Sequence, residues 1–357
     1  MSLSLPTAAP TPGIDLPTFR RWLTGAHPAL PAPDTATLLT GGRSNLTMLL
    51  TGPDGEMVLR RPPLGALLES ANDMGREYRV QSALQRSSVP VADMLAHQPE
   101  ADPKTGVDAT FYLMSRIDGV ALEATDDNAG HEPAAIDSGM RHLARTLAEL
   151  HALTPSTVGL AELGRPDGYL ARQLGRWARQ LDAASDRTLP RLRELATRLA
   201  PAPETTDPAI CHGDFKPQNA LFRFDGSHGE VAGIIDWEMA TLGDAAADLA
   251  LFGMYWTMPR LHPVIGENFE TPVDASSGYP LFTELLDEYA SVRPVPELTW
   301  HLAFSAFKTG VISELIHQRH LAGTTVGEGY DRMGEQVEVL AQIGLDVLAG
   351  RDILMEG

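Results

Sequence analysis

The first third of the chain alternates short apolar runs with polar turns. Residues 36 to 51, ATLLTGGRSNLTMLLT, give two β-prone stretches around a Gly-Gly turn, and EMVLRR at 56 to 61 gives a third. A helix is predicted from about Ser70, which can cap it, to Leu84, because the stretch contains no proline. Two more strands are predicted near 91 to 98 and 110 to 116, on either side of the turn-rich ADPKTG, so this region should be a small sheet with one helix. After IDG at 117 to 119 the apolar period lengthens. Leu143, Leu147 and Leu150 fall at helical spacing within 134 to 152, helical patterns recur at 167 to 183 and 188 to 199, and ALFRF and VAGIID flank a DGSHGE turn as in a hairpin. From Asp244 onward the chain reads as helical, broken by a Pro- and Gly-rich loop at 258 to 280. The pattern divides the chain into a flexible tail over 1–13, a small lobe over 14–118 and a larger, mainly helical lobe over 119–357.

Composition narrows the function. The 357 residues carry 28 basic and 47 acidic side chains, a formal charge of -19 that repels phosphate backbones, so nucleic acid and anionic membrane are poor partners. One cysteine, Cys211, rules out an internal disulfide and fits a reducing compartment. No run approaches the roughly 18 apolar residues of a membrane span. The start, MSLSLPTAAPTPG, lacks a basic region followed by an apolar one. A cytoplasmic globular protein is expected.

The segment CHGDFKPQNALF at 211 to 222 places Asp214 and Asn219 in one loop, and GIIDWE places Asp236 at the end of the next strand. Phosphoryl transfer from a nucleotide needs hard oxygen ligands for a divalent metal and a base or orienting group beside the attacking hydroxyl. Asp214 suits the second task; the Asn219 amide oxygen and the Asp236 carboxylate suit the first. Each piece alone would be an ordinary turn or strand end. In this order and together they point to a kinase.

These residues carry a resemblance. HGDFKPQNALF followed by GIIDWEMATLGDAAADLA is similar to the catalytic and metal-binding segments of the aminoglycoside phosphotransferase-like kinases, relatives of the protein kinases. LTGGRSNLTMLL, VLRRPP and REYRVQSAL resemble the branch of that family found beside acyl-CoA dehydrogenases, and the matches together span roughly residues 36 to 320. The resemblance implies a bilobal α+β fold, with a small, mainly antiparallel β lobe, one helix in it, and a larger helical lobe, holding ATP and Mg2+ between them. It makes Asp214 the catalytic aspartate, Asn219 and Asp236 the metal ligands, and Asp248 the brace of the catalytic loop.

The family's relatives commonly carry a lysine on the third strand, paired to a glutamate on the next helix. Here that strand has Arg60 instead, whose planar fork can grip phosphate or carboxylate, while Arg61 should point to the opposite face. Met74, Glu77, Val80 and Leu84 fall at helical spacing, so Glu77 lies in an apolar stripe and needs a partner; Arg60 is the natural one. Ser44 and Asn45 are expected over the phosphates. FYLMSRIDG resembles the segment joining the lobes, which implies adenine on backbone groups near Ser115 and Ile117 with Met114 at its edge, unless Met114 is ordinary core.

His212 is expected to fix the loop by bonding the backbone, His151 to do likewise, and Cys211 to be core. Lys216 sits two residues after Asp214; in related kinases a lysine there can approach the transferred phosphate, the alternative being a solvated side chain. His301, Ser305 and Lys308 recur as a polar stripe on an otherwise apolar helix and, with Glu238, Trp256, Glu314 and Arg319, are the candidates for contact with the acceptor. The acceptor is expected to be a small hydroxyl compound: a hydroxyacyl chain or its CoA thioester, or an aminoglycoside-like molecule. A catalytically silent nucleotide-binding pseudokinase and a metal-dependent hydrolase built on His212, Asp214 and Asp236 are the competing readings.

Overall fold

The computed structural model describes residues 11–39, 45–64, 73–324 and 330–355. The chain divides into two compact units, Met1–Arg86 with Val91–Asp118, and Ser87–Pro90 with Gly119–Gly357. The fold is α+β.

The first unit begins with α1 (Leu16–Ala26), an element absent from the sequence reading. Its signal is nonetheless in the chain: Asp15 caps the helix by accepting from Thr18 N–H, proline follows in the first turn, and Phe19 and Leu23 are buried four residues apart. Five strands follow: β1 (Thr35–Leu38), β2 (Leu46–Gly52), β3 (Gly55–Arg61), then, after α2 (Met74–Leu84), β4 (Met94–Gln98) and β5 (Phe111–Met114). They form one sheet in the order β1-β2-β3-β5-β4, with every neighbour antiparallel. Among the described residues this unit therefore carries two α-helices, where one was expected.

Successive strand residues face opposite sides of the sheet. Met48, Leu50, Met57, Leu59, Phe111 and Leu113 share one face and close a core with Phe19 and Leu23. Arg61 lies on that side too, where its guanidinium donates to Gly13 O at 2.7 Å and Pro62 O at 3.0 Å. Thr11 Oγ1 donates to Ala36 O. Residues 11 to 13 of the expected flexible tail are thus tied to the sheet, because a buried arginine requires carbonyl partners. The other face carries Arg60, in register with Tyr112 on β5. The helix above it starts at Met74 and is capped by Asp73, whose side chain accepts from Arg76 N–H; Ser70, the cap expected from sequence, lies outside the described residues.

The second unit contains β6 (Val120–Ala121), α3 (Pro133–Ala152), α4 (Tyr169–Ala184), α5 (Pro190–Arg198), β7 (Pro208–Cys211), β8 (Ala220–Asp225), β9 (His228–Ile234) and β10 (Thr241–Asp244). After these come α6 (Ala245–Leu261), α7 (Pro263–Asn268), α8 (Phe282–Ala290), α9 (Thr299–Leu321) and α10 (Val337–Leu348). β8 and β9 form the expected hairpin, with β6 on its edge, and β7 pairs with β10. Helix α3 lies so close on the hairpin that a Cβ at Gly229 would stand 2.1 Å from Ala135 O. The expected break at 258 to 280 is partly helical: α6 carries Pro259 in its last turn and ends two residues later, and α7 follows at once. Among the described residues no helix is long and apolar enough to cross a membrane.

Candidate active site

The loop between β7 and β8 is held from behind by the first turn of α6. Asp248 is buried, and its carboxylate accepts from His212 N–H at 2.7 Å and Gly213 N–H at 2.8 Å. Its second supporter is His151 on α3, whose Nε2 lies 3.2 Å away while Nδ1 meets the Tyr289 hydroxyl at 2.9 Å. Burial would raise the Asp248 carboxyl, but His151, His212 and the Gly213 N–H outweigh it and hold it below the ordinary aspartate value. His212 is fully buried; its Nε2 donates to Ile235 O at 2.9 Å and its Nδ1 accepts from Asp214 N–H at 3.3 Å. Both ring nitrogens are therefore used by backbone, which leaves no lone pair for a metal and removes the basis of the hydrolase reading. His151, Cys211 and Asp248 also cluster, but Asp248 and His151 are bonded as above and burial pushes the Cys211 thiol well up. That group is a braced core.

Gly213 sits at φ 85°, and a Cβ there would stand 2.7 Å from Met239 O, so only glycine lets the chain turn here and present the next residue. Asp214 follows, with a quarter of its side chain exposed and Lys216 Nζ at 2.8 Å. Asn219 Nδ2 donates to both Asp214 O at 2.8 Å and Asp214 Oδ2 at 3.0 Å. Burial acts to raise the Asp214 carboxyl, but Lys216 first, then Lys308 and His212, keep it below the usual range. It is ionised at neutral pH. The Asn219 amide nitrogen is committed to Asp214, which turns its oxygen the other way. Asn219 O accepts from Ile235 N–H at 2.9 Å, placing Asp236 one residue beyond that bond. Asp236 is the one non-glycine residue with positive φ, at 65°, among the described residues. Such a conformation is disfavoured for aspartate and occurs where a side chain must be re-aimed at a strand end.

Tyr255 is a residue the sequence reading missed. Burial first, and then the nearby Asp214 carboxylate, push its phenol well up, and its ring lies 5.0 Å from Lys216 Nζ. The signal existed: Asp248, Phe252 and Tyr255 stand at i, i+4 and i+7 on α6, one face of a helix. Phe252 meets Phe215 of the loop edge-on.

In the first unit, Arg60 Nε lies 2.9 Å from Glu77 Oε2, with the two side chains 12% and 1% exposed. Glu77 also accepts from Asn45 Nδ2 at 2.9 Å and the Tyr112 hydroxyl at 2.8 Å, and Arg60 reaches Thr47 Oγ1 at 3.3 Å. Asn45, expected over phosphates, is instead fully buried with its side chain on Glu77. A buried carboxylate recruits every donor in reach. Ser44 and the Gly-Gly turn lie outside the described residues. On β5, Met114 is half-buried between Val58 and Met94; Ser115 N–H is committed to Asp93 O at 2.8 Å, and Ile117 is half-buried.

The acceptor candidates fare unevenly. Trp256 is core, its indole N–H on Pro280 O at 3.2 Å. Glu314 is fully buried and held by Ser185, Arg187 and Gln318. Neither can touch a substrate. His301 is buried 3.7 Å from Asp244, and Ser305 is 2% exposed, so the stripe faces the interior of the unit and not an open surface. Arg319 is exposed, about 16 Å along α9 from Lys308 at the usual helical rise. Glu238 is half-buried beside Asp236. Lys308 reaches the loop itself, donating to Gly213 O at 3.2 Å.

Comparison with known proteins gives the class. A Ralstonia eutropha structure provisionally named an aminoglycoside phosphotransferase superposes with a TM-score of 0.78 at 26% identity, covering 94% of this chain and 98% of that one. A thermostable mutant of the aminoglycoside phosphotransferase APH(4)-Ia, in ternary complex with AMP-PNP and hygromycin B, shares the fold with a TM-score of 0.60 at 14% identity over 94% and 99% of the two chains. The architecture is the kinase-like one of these phosphotransferases. Acyl-CoA dehydrogenase family member 11 of Gallus gallus is 31% identical over 344 residues, which is 93% of this chain but 43% of that protein. This chain thus spans less than half the length of that relative. The profile of the phosphotransferase enzyme family matches residues 35–280, and the chain belongs to that family.

Proposed function

We propose that the protein is a small-molecule kinase that moves the γ-phosphoryl group of ATP to a substrate hydroxyl. The observation that carries this reading is the state of Asp214: ionised, partly exposed, and fixed by Asn219 and by a loop whose preceding N–H groups are bonded to Asp248. A carboxylate so placed can orient an alcohol and accept its proton as the phosphoryl group arrives. Lys216 offers positive charge beside the reacting oxygens. The second unit would house this chemistry, and Arg60 of the first, whose planar guanidinium suits phosphate, would grip the nucleotide phosphates.

Asn219 and Asp236 fit Mg2+. Both offer hard oxygen, and the amide is oriented by its bonds to Asp214, which leave its oxygen uncommitted to that residue. When bound, Mg2+ would neutralise charge on the phosphates. The acyl-CoA dehydrogenase in the relative's name supports a hydroxylated acyl chain or its CoA thioester as the first acceptor to try, with aminoglycosides second. The buried single cysteine suits a reducing cytoplasm.

The test is a screen of hydroxyacyl compounds, their CoA thioesters, sugars and aminoglycosides with γ-labelled ATP. Label transfer that Asp214→Asn abolishes supports the reading. Nucleotide binding without transfer to any of these would favour the silent pseudokinase.

A further inference from the structure

The chain has three lysines, Lys104, Lys216 and Lys308, and two of them meet at the catalytic loop. Lys216 belongs to that loop and bonds the Asp214 carboxylate. Lys308 arrives from α9, and its ammonium bonds the backbone instead, at Gly213 O. Gly213 N–H is taken by Asp248 Oδ1 at 2.8 Å. The peptide groups on either side of Gly213 are therefore pinned by opposite charges from two different helices. This is the residue whose positive φ aims Asp214.

Burying an ammonium costs several kcal/mol unless opposite charge and hydrogen bonds offset it. Around Lys308 burial pushes the ammonium's pKa down, while Asp214 and Asp248 oppose that shift and the Trp177 ring lies 5.9 Å away. Its neighbours Tyr169, Gln173, Trp177 and Ser305 wall a small cavity beside Gly213. An apolar residue would be simpler at this point on a helix that is otherwise packed in the interior, so a lysine here requires an electrostatic reason. We infer that Lys308 is a positioning residue for phosphoryl transfer, the second half of a clamp on Gly213 whose first half is Asp248, and that it does not bind the acceptor. This rests on the kinase reading above.

The experiment compares Lys308→Met with Lys308→Arg. Methionine keeps the length and removes the charge and donors; arginine keeps both. A misaimed catalytic group costs about tenfold to a hundredfold. The expected result is a kcat lower by that factor in the methionine variant, with KM for ATP and for acceptor each within about twofold of wild type, and recovery of most of the loss in the arginine variant. A raised acceptor KM at unchanged kcat would make Lys308 a substrate contact and overturn the inference, as would unchanged kinetics. Hydrogen exchange over residues 211–219 needs no acceptor and separates this inference from the kinase reading. Faster exchange at these amides in Lys308→Met, with a wild-type circular dichroism spectrum, supports the clamp even if no acceptor is ever phosphorylated; unchanged exchange overturns it.

Discussion

Replacing Asp248 by asparagine changes one atom type and should loosen the whole catalytic loop. The carboxylate serves three donors: His212 N–H and His151 Nε2–H on Oδ2, and Gly213 N–H on Oδ1. An asparagine has one oxygen. Turned to keep the pair on the Oδ2 side, it presents its NH2 to the Gly213 N–H, leaving a buried donor facing a donor. An unsatisfied buried N–H costs about 1–3 kcal/mol, and the two retained bonds lose their charge assistance, roughly another 1 kcal/mol together, so about 3 kcal/mol is expected. With a urea slope of about 1–3 kcal/mol per molar, the unfolding midpoint should fall by about 1 M or more. Trp237, whose ring centroid lies 4.7 Å from that of His212, gives a fluorescence signal close to the change. The sign of the pH dependence follows from the depressed carboxyl. Its stabilisation is complete above the unfolded aspartate value near pH 4 and is lost as pH falls through the lower folded value, so the gap between wild type and variant should narrow in acid. A midpoint within 0.3 M of wild type, on the order of 0.5 kcal/mol, or a gap that widens in acid, would refute the account of Asp248 as a charged three-donor brace.

Asp214→Asn should preserve nucleotide binding by calorimetry and reduce phosphoryl transfer by on the order of a hundredfold or more; unchanged turnover would remove Asp214 from the chemistry. Asp236→Ala should weaken Mg-dependent ATP binding while the circular dichroism spectrum persists, and equal Mg-ATP affinity would end its assignment as a metal ligand. Arg60→Met should raise the KM for ATP and lower turnover, Arg60→Lys should recover part of that, and Glu77→Gln should give a milder loss. Because Arg60 and Glu77 touch at 2.9 Å, the double variant should lose less than the sum, and strict additivity would contradict their coupling.

The sequence by itself determined what is carried by neighbours along the chain. Glu77 was legible as buried because a helix repeats every 3.6 residues, and Met74, Val80 and Leu84 are apolar at that period. Arg61 was legible as opposite to Arg60 because a strand alternates. The β8–β9 hairpin and the short segment holding Asp214 and Asn219 are contiguous, so spacing alone described them. Even α1 was within reach through its Asp15 cap and first-turn proline.

Tertiary structure decided what depends on distant partners. Asn45 turned from the expected phosphates to Glu77 because a buried carboxylate on α2 drew it in, a contact between residues 32 apart. Trp256 on α6 and the polar positions of α9 fell among acceptor candidates, yet both helices are buried around much of their surface. There, a glutamate such as Glu314 signals a partner on another segment, Ser185 and Arg187, and no periodicity reveals which. Lys308 meets Gly213 across 95 positions of chain. Local pattern fixes which face of an element is apolar, whereas the identity of a buried charge's partner is set only when elements pack and desolvation forces each polar group to find one.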